Sequence, residues 1–333
     1  MKKKRMLWAL VVMLVCIFTA ACKKNVGTPE DNAVTEESEE EPLEEEDAYV
    51  FGFTGIDMEN PYFITLESAI REQVEKEGYT LLTKDPQSDP ELQKTQIQEL
   101  IDEGIDAIFL CPVDWEEVVE SLEALKEADV RIINVDTQVK EMDYIDAYIG
   151  SDNHEAGYIC GEDLLVRCPE GGRIAILECP TQNSINERIT GFEEAIAGAE
   201  KGFEVVARAD TNGEFEKALE AAKTIVQEHP NIAAIMCGND QLAVAAKTAV
   251  NLADLKEVII YGVDGSPDIK KELKKADGQI AGTAAQSPIG LGKTAAKVAM
   301  DILEDKEFER ETYEEVFMIN QSNVDMYGVD GWQ

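Results

Sequence analysis

The sequence predicts an α/β protein of two similar lobes, each a doubly wound parallel sheet, with several chain crossings and hence a hinge between them. Three observations carry that expectation. From Tyr49 onward, β-type runs alternate with helical patterns, which implies a parallel sheet covered by helices on both faces. The alternation runs through the chain twice, before and after the DAYIG segment that ends at Gly150. With 333 residues the chain is long enough for two lobes with full cores.

In order, the first series is YVFGFTG, a helix over 61–77, YTLLTKD, a helix over 90–103, DAIFLCP, a helix over 115–128, RIINVD and DAYIG. Pro61 suits the first turn of its helix. The second series begins at SDNHEAGYICGEDLLVRC, where Asp152 and Glu155 fit a capping box. It continues with RIAILEC, a helix over 185–198, FEVVARAD, a helix over 214–228, IAAIMCG, a helix over 242–253 and VIIYGVDG. QIAGTAAQ, a helix over 289–304 and EEVFMINQSNVDMYGVD remain, too little for a third domain, so they must complete the two sheets.

Ahead of this body, MKKKRMLWALVVMLVCIFTAAC has a basic start, an apolar stretch over 6–18 and small residues before Cys22. The stretch is short for a membrane span and has the layout of an export signal, so the mature protein is expected outside the cytoplasm. Thr19, Ala20 and Ala21 before Cys22 resemble the lipobox of bacterial lipoproteins, with Thr19 in place of the usual leucine; ordinary A-x-A-like cleavage is the alternative. A lipidated Cys22 would hold a soluble domain at a membrane surface. Residues 22–47 are acidic, poor in apolar side chains and interrupted by proline, the composition of a disordered tether with a reach of roughly 25–30 Å.

The formal charge is −38, and it falls to −42 once Lys2, Lys3, Lys4 and Arg5 leave with the leader. Nucleic acid and anionic membrane surfaces would be repelled, which excludes polyanions as partners. Of seven cysteines, Cys16 and Cys22 belong to the leader. Cys111, Cys160, Cys168, Cys179 and Cys237 form no C-x-x-C pair, which argues against a disulfide framework and against a zinc site. Cys111, Cys179 and Cys237 end apolar runs, where cysteine serves as a small core residue.

The functional signal lies at the strand ends. IINVD stops at Asp136, IMCGND at Asn239 and Asp240, and VIIYGVDG at Asp264. In an open parallel sheet the ligand crevice lies outside the carboxyl ends of the strands, so side chains delivered there face a common site. Each residue alone also reads as a helix cap or turn former, and Asn60, before Pro61, Tyr62 and Phe63, reads as a simple N-cap followed by core aromatics. Arg188 falls near the positive end of a helix, where a cation is not favoured for stability alone; an exposed ion pair with Glu187 or Glu193 is its plain alternative. Asp, Asn, Gln and Arg bond adjacent hydroxyls with planar groups, and aromatic rings take the C–H faces of a sugar.

Enzymatic equipment is not visible. His154 and His229 have no nucleophile motif beside them and G-x-S-x-G is absent. SPIGLGKT over 287–294 ends like a phosphate loop but has Ser287 for the first glycine and carries Pro288.

Taken in order, ENPYF, the strand end at Asp136, IGSDN, INERITGF, CGND, VDGSPD, AAQSP and the late NVD resemble periplasmic sugar-binding proteins of the ribose and galactose type, relatives of the LacI repressor ligand-binding domain. The resemblance runs from about residue 48 to the end, and an export signal stands where a repressor carries its helix-turn-helix. It implies the type I periplasmic binding protein fold with a three-crossing hinge near 150–152, 286 and 320–323. The N-terminal lobe would hold 48–150 and 287–320, the C-terminal lobe 151–286 and 321–333. Asn60, Tyr62, Phe63, Asp136, Arg188, Asn239, Asp264 and Gln286 would line the cleft. Asp136 and Asp264 would accept from hydroxyls, Arg188 would donate twice, and Tyr62 and Phe63 would form a stacking wall.

Two departures bear on specificity. Thr137 stands where ribose binders of this family carry arginine, and the aromatic expected after Ala209 and Asp210 is missing unless Phe215 takes its place by a shift in register. A calcium loop of the galactose type is not evident. The expected function is a lipid-anchored, monomeric solute-binding protein that takes up a monosaccharide by hinge closure and passes it to the permease subunits of an ABC importer, without metal, cofactor or covalent chemistry. A sensor of the same fold that presents sugar to a membrane receptor is the alternative. A secreted carbohydrate-active enzyme would need Asp136 and Asp264 about 5–10 Å apart around a glycosidic bond.

Overall fold

The computed structural model describes residues 48–199, 201–275 and 277–333. The expected leader, the acidic tether and Cys22 lie outside the described residues. The first lobe contains β1 (Val50–Thr54), α1 (Pro61–Lys76), β2 (Thr80–Lys84), α2 (Pro90–Asp102), β3 (Ala107–Leu110), α3 (Val119–Glu127), β4 (Arg131–Val135) and β5 (Ala147–Ser151). The second contains α4 (Asn153–Arg167), β6 (Gly172–Glu178), α5 (Asn183–Ala197), β7 (Phe203–Asp210), α6 (Phe215–Glu228), β8 (Ala234–Cys237), α7 (Asp240–Leu252), β9 (Ile259–Asp264), α8 (Pro267–Leu273) and β10 (Ile280–Ala285). The chain then returns through α9 (Pro288–Leu303) and β11 (Glu311–Glu314) to the first lobe and through β12 (Phe317–Asn320) to the second.

The two sheets repeat one plan. Their strand orders are β11-β5-β4-β3-β1-β2 and β12-β10-β9-β8-β6-β7, so β1 to β5 correspond in place to β6 to β10. The order reverses between β1 and β3, and again between β6 and β8, which is where an open α/β sheet leaves a crevice. Both central strands, β3 and β8, are buried at every residue because helices cover both faces. In the first sheet, Leu66 and Ile70 of α1 and Leu291 and Ala295 of α9 pack on Phe51 and Phe53, while Leu100 and Leu122 cover Ile108 from the other side. In the second, Leu164 and Phe192 meet Ile176, and Ala222, Val226 and Leu242 lie on the opposite face. Cys111, Cys179 and Cys237 are wholly buried small residues of these cores, and all five described cysteines are free.

Three details differ from the sequence expectation. The third helix starts at Val119 rather than 115, because Asp114 Oδ1 accepts from the Glu116 and Glu117 amides and holds the intervening residues in a turn. Helix α8 was not anticipated; its seven residues follow Ser266, whose hydroxyl caps the Ile269 amide at 3.3 Å.

The third crossing is displaced from 320–323 to the two residues between β11 and β12. β11 pairs parallel with β5, whereas β12 pairs antiparallel with β10, Phe317 opposite Ala285 and Asn320 opposite Gly282. Residues 317–320 therefore complete the second lobe's sheet, not the first's, and supply its one antiparallel edge among the described residues. The run ETYEEVFMIN holds no proline or glycine, so the sequence shows no break there. Ser151 Oγ donates to Gln286 Oε1 at 2.8 Å and the Asp152 amide to Glu314 O at 3.1 Å, so the connections after β5, β10 and β11 lie side by side.

Candidate functional site

The strand ends of both sheets point into one cleft. Asp136 follows β4 and Asp264 ends β9, equivalent places in the repeated plan, and both have positive φ, +69° and +139°. Such backbone costs a non-glycine residue of order 1–3 kcal/mol and persists only where its surroundings over-determine it. Here Asp136 N donates to Ile149 O and Asp136 O accepts from the Tyr148 hydroxyl at 2.8 Å. Asp264 O accepts from Gln333 Nε2 at 2.9 Å and from the Gln286 amide at 3.1 Å. The strain serves to aim both carboxylates inward.

Around them stands a buried network. Tyr62 donates its hydroxyl to Asp136 Oδ1 at 2.8 Å, and burial, reinforced by Asp136, drives its pKa well up, so the phenol stays a donor. Gln286 Nε2 donates to Asp264 Oδ1 at 2.8 Å. Arg188, 3% exposed, donates Nε to Asn153 Oδ1 at 2.8 Å and Nη1 to Gly238 O at 2.9 Å, and Nη1 stands 3.8 Å from Asp264 Oδ1. Behind Asp264, Asp240 accepts from Thr283 Oγ1 and from the Ser266 amide, each at 2.7 Å. Burial raises the pKa of Asp136, although Arg188 and the Tyr62 hydrogen bond oppose it. It raises Asp264 further, to about 8, with the neighbouring Asp240 adding to the shift and Arg188 opposing it.

The seat of Arg188 is built by glycine. Helices α4 and α5 approach so closely that a Cβ on Gly157 would lie 1.7 Å from Arg188 O, and one on Gly191 would lie 2.0 Å from His154 O. Only hydrogen fits at either contact. We predict that Gly157→Ala costs about 1–3 kcal/mol through overpacking and moves Arg188 off Asn153. Urea unfolding would measure it; an unchanged midpoint would show that the seam can part without loss.

All eight residues expected at a cleft are brought to the wall of a single cavity: Asn60, Tyr62, Phe63, Asp136, Arg188, Asn239, Asp264 and Gln286. The empty space among them is about 470 Å³ with the solvent at its mouth included, of which only about 30 Å³ admits the centre of a water molecule, so the walls stand close together. The plain cap readings of Asn60 and Asn239 hold as well. Asn60 Oδ1 accepts from the Tyr62 amide and Asn239 Oδ1 from the Leu242 amide, each at 3.0 Å, while neither Nδ2 has a partner among the described residues. Each amide thus caps a helix with its oxygen while its nitrogen stays unbonded in a residue that lines the cavity. The ion pairs of Arg188 with Glu187 or Glu193 do not form.

Several wall residues were not anticipated. Asp57 and Ser88 come from the loops after β1 and β2, Gln182, Asn212 and Gly213 from the equivalent loops after β6 and β7, and Ser184 from the first turn of α5. Ser88 and Asn212 both have positive φ, +59° and +52°. Superposing the two halves of the sequence would have paired DPQSD with DTNGE and flagged both loops.

Thr137 and Phe215 explain the two departures. Thr137 is fully buried and accepts the Ser184 amide at 2.9 Å from the opposite lobe, while Trp115 N donates to Thr181 O at 3.0 Å, so these bonds tie the lobes together in a closed arrangement. Its side chain joins the lobes instead of reaching the cavity. Phe215 does not enter the cavity either; it lines a neighbouring groove with Pro61, Val244 and Pro267. The aromatic that joins Tyr62 and Phe63 is Trp332, edge-on to Tyr62 at 5.8 Å between ring centroids. Among the described residues no cluster of three or more His, Cys, Asp or Glu could hold a metal ion, and no helix is long and apolar enough to cross a membrane.

Comparison with known proteins agrees with this architecture. A family model described as the periplasmic binding protein domain matches residues 51–307. The ribose import binding protein of Bacillus subtilis is 27% identical over 263 residues, covering 79% of this chain and 84% of that protein. A solved ABC transporter solute-binding protein from Mycobacterium smegmatis, with bound glycerol, has a TM-score of 0.80 at 24% identity, covering 85% of this chain and 98% of the other. One from Actinobacillus succinogenes with bound D-allose has a TM-score of 0.75 at 25% identity, covering 84% and 100%.

Proposed function

This chain belongs to the periplasmic binding protein domain family, and we propose that it is a lipid-anchored solute-binding protein that captures a monosaccharide between its lobes and delivers it to an ABC importer. The family is one of binding proteins, not enzymes, and it works outside the cytoplasm. The observation that carries the sugar reading is the composition of the cavity wall. It offers carboxylate acceptors in Asp136 and Asp264, amide donors in Asn60 and Asn239, a guanidinium in Arg188 and the rings of Tyr62 and Phe63. Arg188 engages Nε and one N–H of Nη1 within the protein, and its Nη2 has no partner among the described residues, so three N–H donors remain, two of them on Nη2 for adjacent hydroxyls.

Relatives that bind ribose and allose support a pentose or hexose as the ligand class. Thr137 favours a sugar that does not require an arginine at that corner, since its hydroxyl is already committed across the cleft. Lobe closure would supply the affinity, because only the closed state lets one ligand touch both carboxylates and Arg188 together. Lipid anchoring rests on the leader and on Cys22 following Ala20 and Ala21.

A thermal-shift screen of pentoses, hexoses, polyols and nucleosides tests the ligand class. A bound sugar at about 100 times its Kd should add roughly 2.7 kcal/mol of stability. A panel with no shift for any sugar would sink the reading. In the same cells, Cys22→Ser should move the protein from the membrane to the soluble fraction, and continued membrane association would refute the anchor.

A further inference from the structure

The residues after β12 run along the second lobe and touch the first through Trp332. Val324, Tyr327 and Val329 pack on the second lobe's core, with Tyr327 stacked on Phe317 at 5.0 Å between centroids. Trp332 instead packs on the first lobe's core and meets Tyr62 edge-on. Residues 331–333 thus touch both lobes, beside the hinge connection at Gln286 and Ser287.

The bridge is firmly held at one end. Gln333 uses its amide nitrogen twice, donating to Asp264 O at 2.9 Å and to Gln286 O at 2.7 Å. Its Oε1 accepts from Lys270 Nζ at 3.2 Å, and its backbone oxygen accepts from Ser287 Oγ at 2.6 Å. Lys270 is wholly buried and donates again to Gly331 O at 2.6 Å. Gly265, at φ +74°, makes room: a Cβ there would lie 2.4 Å from Gln333 Nε2. The two residues grasped by Gln333, Asp264 and Gln286, are the strained carboxylate of the cavity and the amide that bonds it. At the other end the contact with Tyr62 is one aromatic edge, with no hydrogen bond between the two side chains, so this is the joint that must part when the lobes separate.

We propose that residues 331–333 form a latch: Gln333 positions Asp264 and Gln286 for the ligand, and Trp332, by seating Tyr62, holds the cleft shut. Both are positioning residues, acting through Asp264, Gln286 and Tyr62, and the proposal rests on the ligand-capture reading above. Its consequence is kinetic. A ligand enters the open protein, in which the latch is undone, and leaves only after the latch releases, so the latch sets the dissociation rate.

The chain contains three tryptophans, of which Trp8 lies in the leader, so Trp115→Phe leaves Trp332 as the sole reporter of the mature protein. In that background, stopped-flow mixing with the sugar found in the screen should show Trp332→Ala, followed by a dye on the opposite lobe, and Gln333→Ala, followed by Trp332 emission, each raising the dissociation rate about three- to tenfold. Association should stay within about twofold, and Trp332→Phe should restore most of the slow dissociation. Dissociation rates unchanged in both variants would overturn the latch. If the parent protein binds no sugar, the function reading fails separately, and the latch is then judged by acrylamide quenching. Gln333→Ala should raise the quenching constant of Trp332 at least about twofold, and an equal constant overturns the proposal.

Discussion

Arg188→Ala should abolish ligand capture and lower folding stability by about 3–5 kcal/mol, the range expected when one partner of a buried ionic group is removed. The substitution takes the donor from Asn153 Oδ1 and from Gly238 O, both buried with it. It also takes the cation from a cavity whose wall holds Asp57, Asp136 and Asp264, with Asp240 directly behind. A ligand would lose two hydrogen bonds to a charged group at about 1.5–3 kcal/mol each, so affinity should fall at least about a hundredfold. Arg188→Lys should recover part of the stability and little of the affinity, because an ammonium cannot reproduce the planar fork that reaches Asn153, Gly238 and the cavity together. Calorimetric titration and urea unfolding of both variants check this; full affinity in either would remove Arg188 from the site.

Asp264 makes the second large effect, and its sign depends on pH. Burial, with Asp240 beside it, pushes its carboxyl up to about 8, against an unfolded value near 3.9. The groups facing it are Asp240 at the start of α7, Arg188 from α5, Asp136 from the other lobe and the Gln286 amide. A carboxyl raised in the folded state holds its proton there, so its contribution to stability is fully present below about pH 4 and is lost as the pH rises through about 8. The ligand-free protein should therefore melt at lower temperature at pH 8.5 than at pH 5.5, and Asp264→Asn should flatten that decline.

Ligand binding runs the other way. Hydroxyls donating to Asp264 favour its ionised form, so capture should release a proton, and affinity should climb by up to about tenfold per pH unit from 6 toward 8 before levelling. Asp264→Asn should weaken binding roughly 10- to 150-fold at pH 8, the worth of one hydrogen bond to a charged acceptor. Titrations in buffers of different ionisation enthalpy count the proton directly. No proton release, or an affinity that falls from pH 6 to 8, would show that Asp264 meets the ligand in its neutral form.

Much of this site was legible because its residues sit where two periodicities change. Asn60, Asp136, Asn239 and Asp264 each mark the end of a β-type run or the start of a helix, and a parallel sheet delivers such positions to one edge of the molecule. Arg188 was legible as a cation placed against its helix dipole. Gln182, Ser88 and Asn212 were not, because polar residues in loops are the ordinary case and only the pairing of equivalent loops sets them apart, and Ser184 reads as an ordinary first-turn helix residue. Helix α8 and the short α3 were obscured by local side-chain bonds from Ser266 and Asp114, which periodicity does not register. The third crossing was obscured because residues 311–320 read as one extended stretch, although their hydrogen bonds go to two different sheets.

By itself the sequence determined the fold class, the repetition of one lobe plan and the set of polar side chains at the strand ends, since all three follow from the spacing of apolar residues and from where each run stops. Tertiary structure alone decided how those side chains are used. It placed Asp136 and Asp264 in positive φ, committed Thr137 to closing the lobes, moved Phe215 out of the cavity and brought Trp332 to Tyr62 across 270 positions. Those outcomes depend on which partner each group meets in space, and a hydrogen bond or a ring contact between distant residues leaves no periodic trace along the chain.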